Sequence, residues 1–429
     1  MSTENNDDWY KKRHYLHFDP PIGKRKAISI ATNPKNVSNH AFYPLIKFVV
    51  NKIKVRPDDS GRLVKHEKPR PIAYASHSDA AIYSYYSQIL SREYEKKIAT
   101  LNLNDNILAF RSLGKSNIHF ANDAFEAINR LGPCTAIGYD VSKFFDTLDH
   151  GVLKSQWQKI LGVETLPIDH YKVFKSLTNF TQVDKREVFE VLGLSIHNPK
   201  VQNKRLCSPE EFREFVRGCG LISKNPRPDK GIPQGTPISA LLSNIYMLEF
   251  DHMVKKTLEG NGGVYYRYCD DMLFVIPDAA RQLVAAIDEF VTDTIKSLKI
   301  EINQEKTEKR QFILKGKDLY SDKPLQYLGF LFDGKRKMLR SAGLAKYSER
   351  MKRAVTLAKR TRKVRNKKRI DGGLLATPLY KRKLYSKHSY LGRRNFITYA
   401  LRAAEVMESN SIRKQIKPLW KRLQNEIKK

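Results

Sequence analysis

Apolar positions along this chain change period from one stretch to the next, and those changes predict its elements. The run Val-Tyr-Tyr-Arg-Tyr-Cys-Asp-Asp-Met-Leu-Phe-Val-Ile, residues 264–276, is apolar almost throughout and predicts two short strands joined at Asp270-Asp271. A third strand is predicted over Cys134–Tyr139, ending on Asp140 and running into Phe144-Phe145-Asp146-Thr147-Leu148-Asp149-His150. Further strands are expected over 298–302 and around Gln326–Phe332. Near-helical spacing runs over His40–Val55, over 279–297, and over 79–98, where Ile82, Tyr83, Tyr86, Ile89 and Leu90 share one face suited to core packing. Ile238, Leu241, Leu242, Ile245 and Leu248 mark an amphipathic helix. Ser208-Pro209-Glu210-Glu211 reads as a capping box that starts a helix through about Arg217. The prolines of Lys65-His66-Glu67-Lys68-Pro69-Arg70-Pro71-Ile72 require an extended chain, and Gly231-Ile232-Pro233-Gln234-Gly235-Thr236-Pro237 excludes regular structure. Residues 1 to about 30, broken by Pro20-Pro21 and Gly23, read as an arm or irregular lead-in. The sum is an α+β core with helices on one side of a small antiparallel sheet.

Charge narrows the partners. The 429 residues carry 78 Lys and Arg against 45 Asp and Glu, a surplus of +33 that suits a polyanion, nucleic acid first. It is concentrated in the tail, where Lys346–Arg369 holds 12 basic residues and one acid, Glu349. Leu344, Tyr347, Met351, Ala354, Ala358 and Thr361 recur there at three- and four-residue steps, predicting a helix with an apolar seam and a phosphate-facing basic surface. No apolar run approaches the ~18 residues that span a bilayer, so no membrane partner is expected. The first eight residues have no basic start or apolar core of a secretory signal, and the cytoplasm is the expected location. Cys134, Cys207, Cys219 and Cys269 have neither zinc-ligand nor paired spacing and read as reduced thiols.

Adjacent carboxylates at a hairpin tip between apolar strands repel each other and lose hydration, and a divalent cation is the natural compensation. An antiparallel sheet can bring Asp140 beside Asp270 and Asp271, although 130 residues separate them. Three such carboxylates could hold two Mg²⁺ ions about 3.5–4 Å apart, the arrangement that clamps attacking and leaving oxygens in phosphoryl transfer.

Lys68-x-Arg70, Asp140-x4-Phe145-Asp146, Gly231-Ile-Pro-Gln-Gly-Thr-Pro, Tyr268-Cys-Asp-Asp, Asn303-x-x-Lys306 and Tyr327-Leu-Gly-Phe330 stand in the motif order of the reverse transcriptases, which this chain resembles over most of its length. The resemblance implies a right-hand polymerase: an arm at 1–30, fingers at 31–132, a palm at 133–333 with a helical insertion at about 151–230, and a basic helical thumb at 334–429. It implies Asp140 and Asp270 as principal metal ligands, Asp271 as auxiliary and the Val141 carbonyl as a further oxygen, with two Mg²⁺ bound and Mn²⁺ a substitute. Arg70 with Lys68 or Lys65 would meet the triphosphate, Gln234 would lie along nucleotide and template, and Lys306 could protonate leaving pyrophosphate. Phe145 would exclude a ribose 2′-hydroxyl and so favour DNA synthesis, and Leu328-Gly329 would grip the primer.

Among reverse transcriptases, no HNH-like His/Cys cluster marks a complete group II intron maturase, and the retron Val-Thr-Gly is missing. Tyr15-Leu-His-Phe-Asp19, Tyr74-Ala-Ser-His-Ser-Asp79 and the 80-residue spacer from His150 to Lys230 resemble the bacterial defence-associated enzymes of the unknown groups. That resemblance implies an antiviral role, a structured non-coding RNA template, dNTP substrates and a DNA product held as an RNA/DNA hybrid. Template-independent or protein-primed synthesis, and a maturase-like RNA-binding scaffold, remain alternatives.

Overall fold

The computed structural model describes residues 9–57 and 63–429. The strands in chain order are β1 (Leu45–Pro57), β2 (Leu63–Tyr74), β3 (Cys134–Asp140), β4 (Thr181–Asp184), β5 (Ser223–Lys224), β6 (Val264–Tyr268), β7 (Asp271–Pro277), β8 (Glu308–Lys315), β9 (Asp318–Tyr320), β10 (Leu325–Tyr327), β11 (Phe330–Phe332) and β12 (Lys337–Leu339). They distribute over two compact units, each built from separated segments of chain. The initial stretch assessed for a secretory signal lies outside the described residues.

The first unit takes Met1–Phe110, Val141–Val254 and Glu289–Asn303. Its sheet has the order β2-β1-β4-β5, with β1 antiparallel to β2 and parallel to β4. The helix expected over His40–Val55 is instead the strand β1. Ile46, Phe48 and Val50 alternate with Lys47, Val49 and Asn51, and pairing with the proline-rich segment supplies the ladder that decides an ambiguous apolar run. Pro69 and Pro71 lack N–H groups, which suits β2 to the edge of the sheet.

Residues 9–23 form no helix or strand, as expected, but they pack into this unit, and regular structure begins earlier than expected, at Lys24. Trp9, His17, Phe18 and Asp19 are buried, and Lys24–Ala31 is helical. The Asp19 carboxylate accepts from His77 N (2.8 Å), Ser78 N (2.9 Å) and Ser78 Oγ (3.0 Å), compensating the start of the helix His77–Thr100. Tyr15 stacks on His77 and donates to Ala75 O, so two stretches far apart in sequence form one joint. Along that helix Ile82, Tyr83, Tyr86 and Leu90 are buried, with Tyr83 bonded to Ser176 and Tyr86 donating to Asp169. These tyrosines are core residues with satisfied hydroxyls.

The capping box at Ser208 forms as expected, with Glu211 N donating to Ser208 Oγ and Ser208 N to Glu211 Oε2, and the helix continues in π geometry over Phe212–Gly218. The helix Ser239–Tyr246 is enclosed more fully than an amphipathic helix would be: Ser239, Ser243, Asn244 and Tyr246 are buried with Leu241, Leu242 and Ile245. Residues 298–302 form no strand; only Ile302 makes a bridge, to Val141, while Ser142 N donates to Glu301 O.

The second unit takes Arg111–Asp140, Lys255–Asp288 and Gln304–Lys429. Its antiparallel sheet runs β6-β7-β3-β8-β9, and β10-β11-β12 form a second. Ala136 and Ile137 of β3 and Met272 to Ile276 of β7 are buried, which is why both strands read as continuous apolar runs. The basic helix spans Ser341–Asp371, but its buried seam is Tyr347, Met351 and Val355, and Thr361 is exposed. Among the described residues no helix is long and apolar enough to cross a membrane.

Candidate active site

The second unit brings the acids together. Asp140, the last residue of β3, is the antiparallel partner of Asp271, the first residue of β7, and Tyr268 pairs with Asp271 across the β6–β7 hairpin. The turn is therefore Cys269-Asp270, one residue earlier than the pattern suggests. Cys269 sits at φ +61°, a conformation that strains a side chain other than glycine. Arg267, completely buried in β6, donates to the Cys269 carbonyl at 3.2 Å and braces that turn. In the sequence it is only a polar break in an apolar strand, and its role was not legible there.

Asp271 keeps solvent-accessible surface, yet protein surrounds it closely enough to disfavour its charge. Burial, then the neighbouring charges of Asp270 and Asp140, push its carboxyl up to about 7, while Lys306 and Arg340 pull the other way. Such a concave setting leaves a carboxylate accessible but poorly solvated. Lys306, on the short turn Gln304–Lys306 before β8, places its ammonium on Asp140 Oδ1. Burial and Asp270 also push the Cys269 thiol up to about 12, so it remains protonated.

The donor type suits a divalent cation: Asp140, Asp270 and Asp271 are hard carboxylates, and burial with the charges of the first two pushes Asp271 up to about 7. Among the described residues, no group of three or more His, Cys, Asp or Glu side chains is placed so that it could hold a metal ion. Val141, expected to add a carbonyl, continues from Asp140 into the first unit and bridges to Ile302 there.

Leu328 and Gly329 form the β10–β11 turn, at φ +46° and +94°. Asn117 Nδ2 donates to Leu328 O at 3.1 Å and to Tyr399 Oη at 2.9 Å, tying the turn to the C-terminal helices. Arg340 N donates to Gly329 O at 3.3 Å. Asn117, like Arg267, carries no motif that would single it out.

The remaining candidates lie in the first unit. Lys68 and Arg70 are exposed on β2 and, by the two-residue period, share a face with Ile72. The side chain of Lys65 lies outside the described residues. Ile72 faces Gly235, where φ is +123° and an added Cβ would lie 2.6 Å from Ala73 O and 2.9 Å from Ile72 Cγ2. Ala73 N donates to Gln234 O at 2.9 Å, so the glycine permits the loop to lie against the edge of β2. Phe144 is buried whereas Phe145 is only partly so, the divergence expected of neighbouring side chains.

Contacts of Ile232, Gly231, His150 and Arg227 anchor the glycine-proline loop and the residues just before it to the segment around Phe145. Ile232 N donates to Phe145 O (2.9 Å) and Gly231 N to Leu148 O (2.8 Å). Both ring nitrogens of His150 face carbonyls, Nδ1 that of Pro228 at 3.2 Å and Nε2 that of Gly231 at 2.8 Å. Arg227 holds the Asp146 carbonyl and approaches its carboxylate at 3.7 Å. A cavity of about 200 Å³ opens here, lined in part by Ile72, Ala73, Asp146, Arg227, Gly231 and Gln234.

Residues 67–332 match the family model described as reverse transcriptase (RNA-dependent DNA polymerase). Solved structures similar to this chain include an apo telomerase from Candida tropicalis truncated from its C-terminal domain, at 13% identity and a TM-score of 0.39, covering 75% of this chain and 61% of that one. Another is a telomerase from Candida albicans in complex with a TWJ fragment of telomeric RNA, at 13% identity and a TM-score of 0.39, covering 92% of this chain and 58% of that one. The chain thus spans about 60% of the length of these two proteins.

Proposed function

We propose that this chain, which belongs to the reverse transcriptase family, is an RNA-directed DNA polymerase that copies a structured non-coding RNA into DNA in a bacterial antiviral defence system. The observation carrying the chemistry is the pairing of Asp140 with Asp271 at the Cys269-Asp270 turn, with Lys306 on Asp140, inside the matched segment. Asp140, Asp270, Asp271 and the Val141 carbonyl are the proposed ligands for Mg²⁺, which when bound would neutralise phosphate charge and activate the primer hydroxyl.

The protein's own groups then position the reactants. Arg70 and Lys68 meet the triphosphate, with the planar fork of Arg70 matched to phosphate oxygens. Gln234 lies along the nucleotide, Phe145 occupies the space of a 2′-hydroxyl, and Leu328-Gly329 hold the primer end. Lys306 is the proton donor for departing pyrophosphate. In this reading residues 31–132 are fingers, 133–333 palm and 334–429 thumb, working in the cytoplasm on dNTPs and an RNA/DNA hybrid.

The defence role rests on the Tyr15–Asp19 and Tyr74–Asp79 stretches, which the Tyr15–His77 stack and the Asp19 hydrogen bonds join into one feature. The test is to purify the protein from its host, sequence the associated RNA, and add Mg²⁺ with the four dNTPs. DNA complementary to one dominant RNA, lost in Asp140→Asn and in Asp271→Asn, is the expected result. DNA unrelated to bound RNA, or synthesis that survives both substitutions, would overturn it.

A further inference from the structure

The basic helix Ser341–Asp371 has a second stripe besides its buried seam. Leu357, Arg362 and Arg365 on the helix, with Tyr380, Lys383 and Lys387 on the returning segment, line part of a groove of about 350 Å³. That volume is in the range of small-ligand sites. Its apolar residues are left open: Leu357 is 66% exposed and Tyr380 63%.

The wall opposite the helix is held in place. Asn366 Nδ2 donates to Thr377 O at 2.9 Å, Thr377 N returns a bond to Asn366 Oδ1 at 3.0 Å, and Arg369 Nε donates to Leu375 O at 2.9 Å. These bonds fold residues 372–381 back along the helix and fix the groove. Around it the charge is of one sign: residues 350–404 contain 18 Lys and Arg and a single acid, Asp371. An apolar, aromatic floor ringed by four cations matches a nucleotide, with the base on Tyr380 and Leu357 and the phosphates on the arginines and lysines. A duplex keeps its bases stacked inside and cannot present one to a slot walled on both sides.

We propose that this groove binds unpaired nucleotides of a single-stranded nucleic acid, separately from the acids of the polymerase site. The choice of nucleic acid rests on the polymerase reading, but the test needs no catalysis, so either can fail alone. Fluorescence anisotropy in EDTA would compare a labelled single-stranded RNA, the same sequence as DNA, and a blunt RNA duplex, on the full chain. Tyr380→Ala with Leu357→Ser should weaken single-strand binding roughly tenfold and leave the salt slope unchanged. Arg362→Gln with Lys383→Gln should reduce the slope of log K against log salt by about 1.4.

Duplex affinity should change less than about twofold in the first pair. Stronger binding of RNA than DNA identifies template as the occupant, and the reverse identifies product. Leu375→Ser, a control at an 87% exposed leucine, should alter nothing, and thermal melting establishes that every variant folds. Unchanged single-strand affinity in Tyr380→Ala with Leu357→Ser, or an equal loss of duplex binding, overturns the proposal. So does binding transferred to phosphatidylserine vesicles, with those substitutions weakening vesicle rather than RNA affinity.

Discussion

Gly235→Ala tests whether the Gln234 loop positions the nucleotide. The added methyl would stand 2.6 Å from Ala73 O and 2.9 Å from Ile72 Cγ2, and φ of +123° lies outside the conformations an alanine adopts. Held rigidly, that backbone costs about 1–3 kcal/mol, and losing the Ala73 N to Gln234 O bond adds about 0.5–1.5 kcal/mol. The cheaper response is for the loop to move off β2, carrying Gln234 with it. A shift of about 1 Å at a positioning residue can cost about 100-fold in rate. Primed dNTP incorporation on a homopolymeric RNA should therefore fall at least about 30-fold with a modest loss of melting temperature. Gly114→Ala is the matched control: φ is +66° and nothing lies within 4 Å of the added methyl. It should cost about 1–2 kcal/mol of stability and leave incorporation unchanged. Gly235→Ala working within about threefold of the parent would refute the positioning argument.

Phe145→Val should relax sugar selection, raising ribonucleotide use relative to dNTP use by about tenfold or more; an unchanged ratio in competition assays removes Phe145 from that role. His150→Ala should raise KM for dNTPs more than it lowers kcat, because it frees Gly231 at one end of the Gln234 loop; equal effects on a template-binding variant and on this one would show a merely structural residue. The folded pKa of His170 is lowered by burial, and its Nδ1 accepts from Trp157 Nε1 at 3.2 Å, so folding favours the neutral ring. Its contribution is fully present above the unfolded pKa of about 6.5 and is lost as pH falls through the folded value. Each such histidine steepens the acid loss by up to about 1.4 kcal/mol per pH unit. His170→Gln should flatten the dependence of melting temperature on pH below about 6.5, and an unaltered profile would show that the ring does not carry it.

The sequence disclosed the parts of this molecule whose chemistry is local. Asp-Asp between apolar strands, Ser-Pro-Glu-Glu before a helix and a glycine-proline loop each dictate a conformation without reference to distant residues. The strand β1 differs from the helix its spacing predicts because its apolar positions fit two periods, and only pairing with β2 chooses between them. The partners that brace the site were hidden for a similar reason. Arg267, Asn117 and His150 act through backbone carbonyls, a bond type that leaves no pattern of residue identities.

Those carbonyl bonds also account for where the fold tolerates strain. Two hairpin turns of the second unit place non-glycine residues at positive φ, Cys269 at +61° and Leu328 at +46°. In each, a side chain from within the same unit holds the carbonyl of the strained residue: Arg267 for Cys269 and Asn117 for Leu328. Left to local preference, Cys269 would relax and carry Asp270 and Asp271 with it. Fixing the turn instead keeps Asp271 against Asp140, even though the charge of Asp140 makes Asp271 costlier to ionise. The arrangement opposes stability on two counts, backbone and charge. A bound divalent cation would relieve the second and derive its affinity from that relief, whereas the first must be met by the protein at all times. Buried Arg267, unremarkable as a motif, is therefore as necessary to the geometry of the acids as the acids are to the proposed chemistry.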